Sequence, residues 1–204
     1  MKVLLIFFLI MFCTTSVLAE TVVEYTNKGV SLYNQGMFEQ AVEKFTCALV
    51  QNPQDVEALN GLGKAYKSLE RYNESIAEYD KIISIDPTYK KAWNNKGNTL
   101  TYMGRYDDAI PMFEQSLALD PEYGKAWSNK GWCLNKAGKF EDALSCLEKA
   151  TEFEPDYALG WSNKGDALRA LGRTAEALVA YDHALTLNPE LEEATDGKAA
   201  ISGV

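Results

Sequence analysis

The stretch 161-WSNKG-165 repeats 127-WSNKG-131 letter for letter, and 93-WNNKG-97 differs from both at one residue. The three tryptophans are 34 residues apart, and the glycines that close the pentapeptides have the same spacing. Gly63 and Gly29 continue this series towards the N-terminus. A fixed period of this length indicates a chain built from repeated structural units.

The period divides the chain into five repeats, each numbered here so that its recurring glycine is position 8. The repeats are residues 22–55, 56–89, 90–123, 124–157 and 158–191. Large apolar residues at positions 4 and 11 share one helical face with the glycine. A glycine at position 15 in four repeats and a proline at position 32 in all five mark two breaks. The pattern therefore predicts two helices per repeat, joined by a tight turn.

The second helix of each repeat carries a small residue at position 20 and a large apolar one at position 24. A glycine inside a helix costs about 1 kcal/mol relative to alanine, so its retention at position 8 requires a structural reason. We expect the second helix to approach the first closely there, at the small residue of position 20. These small residues are Ala41, Ser75, Ala109, Ala143 and Ala177.

The residues at these positions resemble the signature of the tetratricopeptide repeat. The resemblance covers residues 22–191 and implies an all-α fold, a right-handed helix-turn-helix solenoid of five repeats. Residues 192–204 follow in phase and are expected to form a short C-terminal capping helix. Two departures stand out: Glu70 replaces the turn glycine of the second repeat, and lysine replaces leucine at position 7 of four repeats. We expect those lysines to send their ammonium groups into water.

The first nineteen residues, MKVLLIFFLIMFCTTSVLA, carry one charge at Lys2, then an apolar run, and end on a small residue, Ala19. This pattern is typical of a secretory signal peptide that is cleaved after Ala19. It predicts a secreted or extracytoplasmic protein of the cell envelope. The alternative is an uncleaved N-terminal membrane anchor, and only in that case is a membrane partner expected.

Charge and cysteine content exclude several classes of function. The chain has 20 basic and 29 acidic residues, and loss of the signal segment removes only Lys2, which leaves a net charge of −10. Such a surface repels phosphate backbones, so no nucleic acid partner is expected. The cysteines outside the signal segment, Cys47, Cys133 and Cys146, form no C-x-x-C motif, and no metal site is predicted. Pairing between Cys133 and Cys146, on the two helices of one repeat, is left open.

No enzymatic function is expected, because the single histidine, His183, has no recurring nucleophile or acid at catalytic spacing. No cofactor is predicted for the same reason. By resemblance, the first helices instead line a concave surface that binds peptides, with positions 2, 5, 6, 9, 12 and 13 exposed. The sequence therefore favours a non-enzymatic protein-protein interaction scaffold.

Position 6 supplies the most regular candidates on this surface. Four of its five residues are asparagines: Asn27, Asn95, Asn129 and Asn163. An amide side chain donates and accepts hydrogen bonds, so a row of them suits the backbone of an extended peptide. The alternative is that the asparagines persist from duplication and are merely solvated.

Charge on the same positions points to an acidic ligand. They hold six basic residues, Lys64, Lys67, Lys91, Lys125, Lys136 and Arg169, against Glu57 and Asp166, a net charge of +4. A basic channel on an acidic body favours acidic side chains or a C-terminal carboxylate. Trp132 at position 9 is a candidate anchor, or it packs against a neighbouring first helix.

The candidate peptide-binding residues are thus Asn27, Asn95, Asn129, Asn163, Lys64, Lys91, Lys125 and Trp132. The carboxylate-clamp pattern of one subfamily is matched only at Asn95 and Lys125, so that subfamily's ligand is not carried over. The rival interpretation is an assembly protein that self-associates through its repeat ends or its convex face. For that interpretation residues 192–204 are the discriminating region.

Overall fold

The computed structural model describes residues 20–203, and the predicted signal peptide, residues 1–19, lies outside them. The described residues form eleven α-helices and no strand, which confirms the all-α helical-repeat fold. The helices are α1 (Val22–Asn34), α2 (Phe38–Gln51), α3 (Val56–Ser68), α4 (Tyr72–Ile85), α5 (Lys90–Tyr102), α6 (Tyr106–Leu119), α7 (Gly124–Lys136), α8 (Phe140–Phe153), α9 (Ala158–Ala170), α10 (Thr174–Leu187) and α11 (Glu192–Ser202).

The turn inside each helix pair depends on a residue in the left-handed conformation. Four of these residues are glycines with φ between 74° and 76°: Gly36, Gly104, Gly138 and Gly172. The second repeat has Glu70 there, and it adopts the same conformation with φ of 58°. Because a side chain disfavours this region, Glu70 holds its turn under backbone strain.

The described residues divide into two compact blocks, an N-terminal one up to Thr99 and a C-terminal one from Leu100, with the boundary inside α5. In the N-terminal block, Phe45, Leu62 and their neighbours form one apolar cluster, and Leu59, Tyr79 and Ile82 belong to a second. In the C-terminal block, one cluster extends from Leu134 to Ala194. Helix α11 therefore contributes its buried face to the core of the last repeat.

The recurring glycine makes room for position 24 of its own repeat. A Cβ atom added at Gly29 would lie 2.6 Å from the ring of Phe45, and one at Gly165 would lie 2.5 Å from the ring of Tyr181. The nearest atom to a Cβ at Gly131 is Leu147 Cγ, at 2.5 Å. The predicted close approach is present, and in the fourth repeat the carbonyl oxygen of Ala143, at position 20, would lie 3.1 Å from that Cβ. The expectation did not include the large side chain at position 24, which extends across to the glycine in each of these repeats.

The described helices are short or amphipathic relative to a membrane-spanning segment. Across residues 20–203, none is both long enough and apolar enough to span a bilayer.

Candidate functional site

The tryptophans of the pentapeptides attach each first helix to the repeat before it. Each indole Nε1 donates a hydrogen bond to the carbonyl of the proline at position 32 of the preceding repeat. The pairs are Trp93 with Pro87 at 2.9 Å, Trp127 with Pro121 at 2.8 Å and Trp161 with Pro155 at 2.7 Å. The tryptophans are therefore structural, and they secure the junction between repeats.

Two of the four lysines at position 7 also bind the preceding repeat. In the N-terminal block Lys96 Nζ lies 2.6 Å from Asp80 Oδ1, and in the C-terminal block Lys130 Nζ lies 2.9 Å from Glu114 Oε1. Lys198 of α11 pairs with Asp182 in the same manner. These ion pairs are exposed, so the ammonium groups do reach the surface, but each is also paired with an acid at position 25 of the preceding repeat.

Two asparagines at position 6 bridge to position 5 of the repeat before them. Asn95 Nδ2 donates to Asn60 Oδ1 at 2.9 Å, and Asn163 Nδ2 donates to Ser128 Oγ at 3.1 Å. Asn95 is half-buried, and Asn163 is only 5% exposed. Both amides thus take part in the attachment of one repeat to the next.

The other two asparagines of the column differ from each other in exposure. Asn27 is exposed on α1, and Asn129 is half-buried on α7. The column is therefore not a uniform row of solvent-facing amides. Peptide contact by these four residues stays a prediction, and Asn27 offers the most accessible amide.

Position 5 was expected to be exposed, and that expectation is wrong in four repeats. Its residues there are between 0% and 4% exposed: Thr26, Asn94, Ser128 and Ser162. For Ser128 the reason is geometric, because it lies against position 6 of the following repeat and accepts a hydrogen bond from Asn163.

Two of these buried hydroxyls have no hydrogen-bond partner within the described part of the chain, Thr26 Oγ1 and Ser162 Oγ. In both cases glycine occupies position 6 of the following helix, Gly61 after Thr26 and Gly197 after Ser162. A Cβ atom at Gly61 would lie 2.3 Å from the ring of Phe45. The large side chain at position 24 of the preceding repeat thus occupies the space that the Cβ of an asparagine at position 6 would need. Without that asparagine, the hydroxyl at position 5 has no hydrogen-bond donor beside it.

A cavity of about 220 Å³ opens on the first-helix side of the N-terminal block, above Phe45 and Gly61. Its lining from α1, α3 and the start of α5 falls at positions 2, 5, 6, 9, 12 and 13, which the resemblance assigns to ligand contact. The cavity brings together three predicted site residues: Asn27, Lys64 and Lys91. The sequence did not single out Thr26, Asn60, Gly61 or Phe45, although the isolated glycine at position 6 was a visible signal.

The lysines around this cavity differ in whether they already have a polar partner within the chain. Lys67 is half-buried and donates to Asn98 Oδ1 at 2.8 Å, and burial together with nearby Lys64 lowers the pKa of Lys67. Lys64 and Lys91 are exposed and make no ion pair with any described residue. The Lys64 ammonium lies 5.0 Å from the centroid of the Tyr33 ring. The cavity therefore has two available positive charges at its edge, opposed by Glu57.

The C-terminal block also presents exposed positive charges at these positions, on Lys125 and Lys136. Lys125 is exposed, with its ammonium 5.6 Å from the centroid of the Tyr157 ring. Arg169 lies 3.7 Å from Asp166, so these two charges offset each other. Among the basic residues predicted to bind a peptide, Lys125 is thus the one that this block keeps accessible.

Trp132 packs within the C-terminal block. Its ring lies 5.0 Å from that of Tyr102, centroid to centroid, and the Lys136 ammonium is 5.8 Å from it. The side chain is half-buried, so part of the indole remains open to solvent. Contact with Tyr102, at the end of the preceding first helix, thus accounts for much of the burial of the Trp132 side chain. Its role as a peptide anchor stays a prediction.

Comparison with known protein families shows to which family the chain belongs. Four models described as tetratricopeptide repeat match the chain, at residues 26–90, 78–110, 100–164 and 158–191. Between them they extend across nearly all of the five repeats. The chain is a tetratricopeptide repeat (TPR) protein. The TPR is generally a protein-interaction fold, and that coarse role applies to this chain.

Solved TPR structures share the fold at low sequence identity. TTC0263, a thermophilic TPR protein of Thermus thermophilus, has a TM-score of 0.81 and 22% identity over 90% of this chain and all of that one. YrrB, described as a TPR protein with an unusual peptide-binding site, has a TM-score of 0.58 and 23% identity, covering 87% of this chain and 91% of that one.

A curated relative matches part of the sequence. Hsp70-Hsp90 organizing protein 1 of Glycine max is 30% identical over 66 residues, which is 32% of this chain and 12% of the relative. The TPR chain therefore corresponds to a small part of that protein.

The remaining reactive side chains of the TPR protein are internal or packed. Cys133 and Cys146 are free and buried, so the pairing that the sequence left open is not formed. Burial raises the pKa of both thiols. His183 packs on Trp161 with ring centroids 4.1 Å apart. Within residues 20–203 no group of three or more potential metal ligands is assembled.

Proposed function

We propose that this TPR protein is a non-enzymatic interaction module that binds an extended, acidic segment of another protein on its first-helix surface. The observation that carries the proposal is the cavity of the N-terminal block, where exposed lysines and amides surround an aromatic floor. Its edge is basic on a chain with a formal net charge of −9. Charge complementarity of this kind attracts and orients acidic partners.

Two similar proteins are consistent with peptide or protein binding. The name of the soybean relative describes an organiser of two other proteins, and the description of YrrB includes a peptide-binding site. Those properties belong to the named proteins. For this chain they support a partner that is a protein, and the acidic character of the partner rests on Lys64, Lys91 and Lys125.

We further propose that the partner is met outside the cytoplasm. The support is the sequence of residues 1–19, which has the charged start, apolar run and small final residue of a secretory signal. N-terminal sequencing of the protein recovered from its native cell would find Glu20 first. A mature N-terminus at Met1 or Lys2 would contradict cleavage and favour the membrane-anchored alternative.

Peptide binding is tested by titrating the full chain with an acidic, end-blocked hexaglutamate peptide. Replacement of Lys64 and Lys91 by alanine is expected to weaken binding by roughly five- to thirtyfold, because each exposed charge contributes about 0.5–1 kcal/mol. The loss should shrink as salt is added.

The matched control replaces Lys44 and Lys81 by alanine, which removes the same charge from the second helices. Each of these lysines pairs with a glutamate. This variant should bind the peptide nearly as well as the wild type. Equal weakening by both double variants would show unspecific attraction, and absence of binding by the wild type would contradict the proposed function.

A further inference from the structure

The cavity of the N-terminal block coincides with a gap in the hydrogen bonds that join the repeats. Where position 6 is an asparagine, as at Asn95 and Asn163, its amide donates to the buried side chain at position 5 of the preceding repeat. Gly61 offers no such amide, and Thr26 Oγ1 is left without a partner among the described residues. Thr26 is 4% exposed and lines the cavity, so the gap and the cavity meet at this side chain.

The other gap, at Gly197, shows what distinguishes the first. There position 24 is Tyr181, whose hydroxyl continues past the glycine and donates to Asp166 Oδ1 at 2.7 Å. The corresponding ring beside Gly61 is Phe45, which ends in carbon, and Val30 stands where the last repeat has Asp166. The first junction therefore contains neither an asparagine amide nor a tyrosine hydroxyl.

The polar groups inside the cavity define what would complete it. Thr26 Oγ1 can both donate and accept, and Asn60, whose Oδ1 already accepts from Asn95, keeps its Nδ2 group as a donor. Both groups are neutral, and the lysines are exposed at the edge. A buried carboxylate would supply only acceptors and would incur a large desolvation cost, whereas an apolar side chain would leave Thr26 unpartnered. A primary carboxamide supplies one donor group and one acceptor without charge.

We propose that this cavity takes the side-chain carboxamide of a glutamine or asparagine in the bound peptide, which supplies the amide that Gly61 lacks. The inference rests on the proposed function as a peptide-binding module. It adds a specificity: acidic residues of the partner meet Lys64 and Lys91, and the residue between them inserts an uncharged amide beside Thr26 and Phe45.

Four five-residue peptides test this with the full chain. Each has the form acetyl-Glu-Glu-X-Glu-Glu-methylamide, with X as glutamine, asparagine, glutamate or methionine, and the methylamide avoids a terminal carboxamide. Methionine matches the length of glutamine without its polar tip, and glutamate matches its shape. At least one carboxamide peptide is expected to bind about tenfold tighter than the methionine and glutamate peptides, the effect of one buried hydrogen bond.

Two variants locate the preference. Thr26→Val keeps the shape of the side chain and removes the hydroxyl, so it should bring the carboxamide and methionine peptides to similar affinity. The double variant Phe45→Leu with Gly61→Asn copies the pair Leu147 and Asn163 of the fourth junction. It should fill the cavity with an internal amide, abolish the preference and retain a cooperative thermal transition.

The possible outcomes distinguish failure of the carboxamide subsite from failure of the proposed peptide binding. Equal affinity for all four peptides in the wild type, or a preference that survives Thr26→Val, would overturn the carboxamide subsite while leaving acidic peptide binding in place. Failure of all four peptides to bind would refute the proposed function and the subsite with it. A preference that is present in the wild type and lost in both variants supports the subsite.

Discussion

Ser128 and Ser162 occupy the same helix position and are both fully buried, and they differ in whether an asparagine of the next repeat reaches them. Asn163 donates to Ser128 Oγ, whereas the helix after Ser162 has Gly197 at position 6, and Ser162 Oγ has no partner among the described residues. An unsatisfied buried hydroxyl costs free energy that its removal recovers. This pair therefore separates the contribution of the inter-repeat hydrogen bond from that of burial.

We expect Ser162→Ala to leave the free energy of unfolding unchanged or to raise it, and Ser128→Ala to lower it. The difference between the two variants should be about 1–3 kcal/mol, since only the second leaves a buried amide unpaired. Both substitutions change helix propensity equally, so each controls for the other. Urea unfolding with an unchanged m-value measures the difference, and equal effects would show that the inter-repeat bond contributes nothing.

Asn27 and Asn163 make a second pair at residue scale, because they share position 6 but not their surroundings. Asn163→Ala removes the donor to Ser128 and is expected to cost about 1–3 kcal/mol of stability. Asn27→Ala, at an exposed site on the edge of the cavity, should change stability by less than about 0.5 kcal/mol.

Peptide titration of Asn27→Ala is therefore a clean measure of the amide's role in binding. We expect a severalfold loss of affinity for the acidic peptide, and no loss would remove Asn27 from the site. A triple alanine variant of Asn95, Asn129 and Asn163 would not serve this purpose, since two of its members stabilise the junctions between repeats.

At the scale of helices and turns, the helix pair of the second repeat contains the one strained turn identified among the described non-glycine residues. Glu70 adopts φ of 58° where the other repeats have glycine. The left-handed conformation costs an ordinary residue about 1–2 kcal/mol, while glycine loses roughly 0.5–1 kcal/mol through its greater freedom when unfolded.

We therefore expect Glu70→Gly to raise the free energy of unfolding by about 0.5–1 kcal/mol, measured by thermal and denaturant unfolding. Gly104→Glu at the equivalent turn of the third repeat should lower it by a similar amount. A stabilising Gly104→Glu would contradict the strain argument, because both sites lie open with no contact to compensate.

The elements were largely predictable because their signals are local and repeated. Glycine at position 15 and proline at position 32 mark the turn and the end of each helix pair wherever they occur, and the structure has helices between them. The contacts between repeats were harder to predict from the sequence. The bond from Asn163 to Ser128 joins residues 35 apart, and the ion pair from Lys96 to Asp80 joins residues 16 apart, so neither follows from helical periodicity within one element.

The cavity itself could not be predicted from the sequence, for a different reason. Its floor depends on the direction that the Phe45 ring takes towards Gly61, and its chemistry depends on which buried hydroxyl that ring leaves unpartnered. Position 5 looked exposed because the helical pattern describes one helix at a time, whereas Ser128 is covered by Asn163 of the following repeat. Lys64 and Lys91, by contrast, could be assigned to this surface from charge and phase alone; they line the same cavity, and their role in binding stays a prediction.

For the whole molecule, the remaining question is whether the chain works as a single binding module or as an assembly unit. The two interpretations assign different roles to α11. Its buried face packs Ala194 and Ile201 against the C-terminal core, and Gly197 lies over the Tyr181 ring. Its outer face carries exposed charges that include Glu193 and Asp196. The two faces can be altered separately.

Deletion of residues 192–204 is expected to lower the free energy of unfolding by roughly 2–5 kcal/mol, because it returns buried apolar surface to water. Replacement of Glu193 and Asp196 by lysine keeps that cover and changes only the outer face, so its stability should stay near that of the wild type. Light scattering then decides between the interpretations. A peptide-binding module keeps the same mass in the wild type and the lysine variant. A discrete wild-type oligomer that the lysine variant dissociates, without loss of stability, would instead establish self-association through this end of the chain.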